Sequence, residues 1–162
     1  MLNVVLIEPE IPWNTGNIGR TCLGVGASLH IVGMAGFSLN HRDVERSGLD
    51  YWKDIVLEKY QNLDEYLSKH SLQTCYFFSA RAQKAYTGIH FKKGDSIIFG
   101  CESEGLGPEI LEQFNERCYR IPVQPVIRSL NLSTAAAVVI YEAQRQIGFT
   151  ESSFFNESKI VS

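Results

Sequence analysis

The sequence predicts an α/β fold, a mainly parallel sheet flanked by helices. Two observations carry this. Short apolar runs rich in Val, Ile and Phe recur along the chain, and stretches with helical spacing alternate with them. Such alternation of strands and helices is the pattern of one α/β layer architecture. The 162 residues suit one domain, expected over 1–150, with 151–162 a Ser-rich tail that frays.

Leu2–Ile7 is a β-branched, mostly apolar run ended by Pro9 and Pro12, and reads as the opening strand. Asn14, Thr15, Gly16 and Asn17 supply helix-start chemistry for a helix over 17–25. Leu29–Val32, between Gly26 and Gly33, is the second strand, so the first 33 residues form a βαβ unit. The polar stretch that follows holds a short helical turn at 42–47 and a helix over 62–69, with Leu63, Tyr66 and Leu67 on one side. Thr74–Phe78 is a third strand. Lys93, Gly94 and Asp95 turn the chain into Ser96–Phe99, the clearest central strand. Pro108 opens a helix to Phe114, Cys118–Pro122 is the last strand, and a loop holding Pro125 leads into a long helix over 132–147.

Composition narrows the class. The chain is 44% apolar and 20% charged, which excludes collagen, coiled coil and disorder. With 18 acidic and 15 basic residues it carries a net charge of −3, which excludes a generally basic nucleic-acid coat and leaves room for a local patch. Cys22, Cys75, Cys101 and Cys118 form no CxxC, and His30, His41, His70 and His90 are scattered, so reduced thiols and no metal are expected. Leu2–Ile7 is too short for a signal peptide, and no apolar run approaches the roughly 18 residues of a membrane span. A cytoplasmic location with no membrane partner is expected.

Three polar, glycine-bearing segments follow buried strands: residues 8–20, 100–107 and 121–133. Open α/β sheets bind ligands beyond the carboxyl ends of their strands, so the three are expected to converge on one site. No GxGxxG and no GxxxxGK[ST] is present, which removes a dinucleotide-binding oxidoreductase and a P-loop enzyme. Ser103 sits in a run one residue too long for a GxSxG elbow, and no histidine follows His90, which removes a serine hydrolase.

These segments resemble a known family. Asn14-Thr15-Gly16-Asn17-Ile18 with Arg20, then Phe99-Gly100-x-Glu102-x-x-Gly105-Leu106, then Ile121-Pro122 with Ser129-Leu130-Asn131-Leu132-Ser133, are similar to the three motifs of the SPOUT RNA 2′-O-ribose methyltransferases. Glu8-Pro9-Glu10-Ile11-Pro12 and Arg46-Ser47-Gly48-Leu49-Asp50-Tyr51 more narrowly resemble the single-domain bacterial enzymes that methylate cytidine or uridine 34 of tRNA. The resemblance covers about residues 1–150 and implies a sheet with a C-terminal trefoil knot, a homodimer, S-adenosyl-L-methionine as methyl donor and the tRNA anticodon stem-loop as partner. The cofactor positions it implies are Phe78, Gly100, Glu102, Ile121, Ser129 and Leu130. The catalytic positions are Arg20, Asn14, Ser129 and Asn131. Arg20, Arg42, Arg46 and Arg128 would contact RNA, with Arg81 and Lys84 further candidates and Tyr51 and Trp52 available to stack on bases.

The residues themselves leave some roles open. Family usage makes Arg20 the group that activates the 2′-hydroxyl, yet arginine hardly deprotonates, so contact with a phosphate or with the 2′-oxygen suits its chemistry better. Outside the motif it is a solvated helix residue. Asn14 and Asn131 either orient the hydroxyl and donor or cap helices. Glu102 either holds its loop through amide N–H groups or touches the cofactor; the first is favoured. Ile121, Leu130 and Leu132 are cofactor walls or ordinary core. Glu104 departs from the pattern, since many relatives carry arginine there. Trp13 is a second departure, placed to stack on a base or to pack in its loop. The first and last helices are expected to form the dimer contact. Methylation of another tRNA or rRNA nucleotide, or a non-catalytic binding module, is the alternative.

Overall fold

A computed structural model of the chain describes residues 1–38, 50–149 and 154. Among these are seven strands: β1 (Asn3–Ile7), β2 (Ser28–Val32), β3 (Leu57–Tyr60), β4 (Cys75–Phe78), β5 (Lys84–Ala85), β6 (Ser96–Phe99) and β7 (Cys118–Arg120). They form one sheet in the order β3-β2-β1-β6-β4-β7-β5, every pair parallel. β1 lies between β2 and β6, with Val4 opposite both Leu29 and Ile97. The chain leaves β1 toward one edge and later returns to its other side, so the strand order reverses there. Such a reversal opens a crevice at the carboxyl ends.

Both faces of the sheet are covered, which explains the near-continuous apolar strands. Val4, Leu6, Ile97 and Phe99 pack with Ile18 and Cys22 of α1 (Pro12–Val25) and with Val139, Ile140 and Ala143 of the long helix α4 (Leu132–Ile147). Val5 and Ile98 face the other way, toward Tyr66 of α2 (Leu63–Lys69) and Phe77, Phe114 and Leu106 around α3 (Pro108–Gln113). On α4 the buried Ala136, Val139, Ile140 and Ala143 follow the i, i+3, i+4, i+7 spacing of a core-facing stripe.

Several expectations are corrected. α1 begins at Pro12, not near Asn17, because proline is preformed for the first helical position and Ile11 takes the cap. Asn14 is therefore inside the first turn and is not the cap. β3 and β5 lie where no strand was expected: Leu57-Glu58-Lys59-Tyr60 is half polar, and β5 has two residues. They are edge strands, so water replaces a covering layer and removes the apolar signal. Trp52 sits in a 3₁₀ turn over Asp50–Asp54 and is buried, 5% exposed, against the backbone of Gly19, so it is core and cannot stack on RNA. The turn at 42–47, with Arg42 and Arg46, lies outside the described residues, as does nearly all of the expected tail. No helix among the described residues is long and apolar enough to cross a membrane.

Candidate active site

The carboxyl ends of β1, β4, β6 and β7 surround a cavity of about 630 Å³. Residues of all three motif segments line it, as their shared position at strand ends predicts. Asn14, Phe78, Gly100, Glu102, Ile121, Arg128, Ser129, Leu130 and Asn131 stand on its wall. Nine of the sequence-predicted positions thus meet at one place, although 117 residues separate Asn14 from Asn131.

One chain of hydrogen bonds joins the segments. The Glu102 carboxylate accepts from the backbone N–H of Glu10 (2.7 Å) and of Ile11 (3.1 Å), and from Asn14 Nδ2 (3.0 Å). Asn14 Oδ1 accepts from Asn131 Nδ2 at 3.1 Å. Asn131 Oδ1 in turn accepts from the N–H of Ser133 and Thr134, capping α4. The α1 first turn holds no acidic residue of its own, so Glu102 supplies from another loop the negative charge that a helix N-terminus favours. Both Glu102 oxygens are committed to the β1–α1 segment, which is the loop-holding role. Asn131 caps its helix and binds Asn14 at the same time.

Gly100 is required by space. A Cβ there would stand 2.1 Å from the carbonyl carbon of Gly105 and 2.4 Å from the Leu106 nitrogen. Gly105 adopts φ +70°, a left-handed conformation that glycine enters freely, and its N–H closes the turn onto Cys101 O at 2.9 Å. The loop therefore folds back on itself and presents backbone to the cavity. Phe78, Phe99, Ile121, Leu130, Leu132 and Ala135 supply apolar walls. A planar base and a thioether tail need such walls with a few backbone donors and acceptors, so these residues fit an S-adenosylmethionine-sized ligand.

Charge at the cavity is mixed. Arg81, Arg120 and Arg128 line it with Glu102 and Glu104. Arg81 Nη2 donates to the backbone oxygen of Glu104 at 3.4 Å. Arg120 was not expected; its signal is its place at the end of a strand just before Ile121-Pro122. Glu10 was also missed as a site residue: its segment Glu8-Pro9-Glu10-Ile11-Pro12 carried the resemblance, but nothing local shows that its carboxylate reaches Ser103. Arg20 is not on the cavity wall: its guanidinium lies 5.3 Å from the Tyr51 ring centroid, and the Tyr51 hydroxyl donates to Gly16 O at 3.2 Å. Lys84 is drawn off to Glu116 and the β5 edge. Trp13 is 65% exposed beside the cavity residues Ile11 and Asn14. Cys101 is the half-buried thiol at the site; Cys22, Cys75 and Cys118 are buried, and burial pushes the Cys22 thiol up to about 12.

Comparison with known proteins agrees with this geometry. The SpoU rRNA Methylase family matches residues 1–141. The chain is 41% identical over 155 residues to the tRNA (cytidine(34)-2'-O)-methyltransferase of Saccharophagus degradans, covering 94% of this chain and 99% of that one. It is 39% identical over 150 residues to the enzyme of the same name from Escherichia coli K12, covering 92% and 96%. A solved structure described as giving insights into the 2-OH methylation of C/U34 on tRNA superposes with TM-score 0.83 at 39% identity, over 90% of this chain and 95% of that one. With its motifs gathered at the carboxyl ends of an all-parallel sheet, the chain belongs to the SpoU rRNA Methylase family and is a methyltransferase of the SPOUT fold.

Proposed function

We propose that this protein transfers a methyl group from S-adenosylmethionine to the ribose 2′-hydroxyl of cytidine or uridine 34 in tRNA. The observation that carries this reading is the pair of tRNA (cytidine(34)-2'-O)-methyltransferases at about 40% identity over more than nine-tenths of the chain. Residues 1–150 act as one catalytic unit in the cytoplasm, with the C-terminal segment knotted as the resemblance implies.

When bound, the donor supplies an electrophilic methyl on a positively charged sulfur. Positioning does much of the remaining work, because a held hydroxyl and a held methyl react as one unit. The turn of Gly100–Gly105, with Phe78, Ile121 and Leu130, holds the donor. Asn14 bonds to both Glu102 and Asn131, so the three fix the relative places of the three segments. Ser129 stands on the cavity wall, and as the resemblance implies its Oγ serves the incoming ribose or the donor tail. Arg20 stabilises the negative charge that develops on the 2′-oxygen, or a neighbouring phosphate, as a cation that does not give up its proton. Arg81, Arg120 and Arg128 meet phosphates at the cavity mouth.

Arg20 stands outside the cavity of its own chain, which suits a homodimer in which it serves the partner's site. Leu23 on α1, with Val138 and Tyr141 on α4, are exposed apolar side chains on two helices that pack together, and they supply the contact. Charge substitutions at Leu23 and Val138 should yield a monomer in ultracentrifugation and lose methylation together.

The deciding experiment uses labelled S-adenosylmethionine and tRNA from cells lacking the matching gene, followed by digestion and mass spectrometry. The expected product is 2′-O-methylcytidine or 2′-O-methyluridine from position 34, lost in Arg20→Ala. Label at another nucleotide overturns the substrate.

A further inference from the structure

The Glu102 carboxylate is only half of a reciprocal arrangement. Glu102 accepts from the backbone N–H of Glu10, and the side chain of Glu10 reaches back to Ser103. Glu10 Oε2 accepts from the Ser103 N–H at 2.9 Å, and Glu10 Oε1 accepts from the Ser103 hydroxyl at 2.8 Å. Two neighbouring residues of each loop thus hold the other loop by carboxylate-to-amide bonds, the stronger, charge-assisted kind. Such a pair resists both sliding and twisting, which a single bond does not.

The segment carrying Glu10 is itself held. Glu8 takes φ +48°, an uncommon left-handed turn for a non-glycine residue. Behind the segment, the Gly36 N–H donates to Pro9 O at 2.9 Å, and a Cβ on Gly36 would come within 3.3 Å of Glu10 Cα. The backbone of Glu10 is fixed from one side while its side chain reaches Ser103 on the other. Ser103 lies in the Gly100–Gly105 turn that lines the cavity.

We infer that Glu10 is a positioning residue for the methyl-donor loop: through Ser103 it sets the turn that holds the donor, without touching donor or RNA. This rests on the reading of the cavity as the S-adenosylmethionine site. Removing the Glu10 carboxylate leaves the Glu102 half of the pair, so the fold survives and the loop gains freedom that donor binding must then remove.

The test measures donor affinity by calorimetry with S-adenosylmethionine, affinity for tRNA, and melting temperature, in the full chain and in Glu10→Ala, Glu10→Gln, Ser103→Ala and Glu10→Ala/Ser103→Ala. Glu10→Ala removes both hydrogen bonds to Ser103 and should weaken donor binding about tenfold, since these bonds order the loop and do not touch the donor. Glu10→Gln keeps one acceptor oxygen and should recover part of it. The double variant should be no worse than Glu10→Ala, because both substitutions break the same contact. Affinity for tRNA should not change. Unchanged donor affinity in Glu10→Ala, additive losses in the double variant, or a parallel fall in donor affinity, tRNA affinity and melting temperature would each overturn the inference. Failure of the unsubstituted chain to bind S-adenosylmethionine would overturn the cofactor reading and this inference with it, whereas normal binding there with no effect of Glu10→Ala overturns this inference alone.

Discussion

Two polar networks in this protein answer the same physical problem in different ways. At the carboxyl ends of the strands, Glu10, Glu102, Asn14 and Asn131 join loops around an open cavity. On the far face of the sheet, His30, Tyr60, Tyr66 and His70 form a closed cluster, with Tyr66 and His70 stacked at 4.1 Å. There the Tyr66 hydroxyl meets Ser96 at 2.7 Å, Ser28 meets His30 Nε2 at 2.8 Å, and Tyr60 donates to Glu58. Burial raises the Tyr66 hydroxyl and holds the His30 imidazole down near 4. The closed network packs ring against ring within the fold, and leaves His30 Nδ1 buried without a hydrogen-bond partner among the described residues. The open one joins loops and leaves backbone and Ser129 on the cavity wall. Substitutions should therefore separate the two: changes at the first move donor binding, and changes at the second move stability alone.

The sharpest break is Gly100→Ala. Its methyl group would overlap the Gly105 carbonyl, and backbone cannot step aside as a side chain can. We expect a cost of about 3 kcal/mol or more and loss of S-adenosylmethionine binding, checked by calorimetry and thermal melting. Next is Glu102→Ala, which strands two backbone N–H groups and the Asn14 amide. A loss of about 2 kcal/mol in stability and at least about tenfold in methylation rate is expected, read in denaturant titrations and single-turnover assays.

The closed network supplies the contrasting tests. The His30 imidazole is held near 4, by burial first and by His70 second, against an upward pull from Glu58, while its ordinary value is 6.5. Between those values the unfolded chain takes up a proton that the folded chain refuses. The His30 contribution is therefore complete above 6.5 and is lost as pH falls toward 4. His30→Gln should flatten that limb of the melting profile by a few degrees relative to the unsubstituted chain, and leave donor affinity at pH 7.5 unchanged. The mildest change, Tyr66→Phe, removes one buried hydrogen bond and should cost about 1 kcal/mol in urea unfolding with methylation unaltered. A change in donor affinity in either variant would show that the two networks are coupled through β6, which carries Ser96 at one end and leads into Gly100 at the other.

Local pattern determined the strands that are covered on both sides, the last helix and its Asn131 cap, and the three motifs, because burial and capping write periodic apolar residues and specific cap chemistry into adjacent positions. The edge strands β3 and β5 left no such record, since an edge faces water and tolerates Glu58, Lys59 and Lys84. Pro12 did carry the true start of α1, but its helix-opening role is indistinguishable from a loop proline until Glu102 is seen at that helix end. Only the tertiary structure decided that Trp52 is core, that Arg120 reaches the cavity while Arg20 does not, and that Glu10 grips Ser103. Each of these depends on contacts between residues tens of positions apart, set by the order of strands in the sheet, and a single sequence carries no local trace of that order.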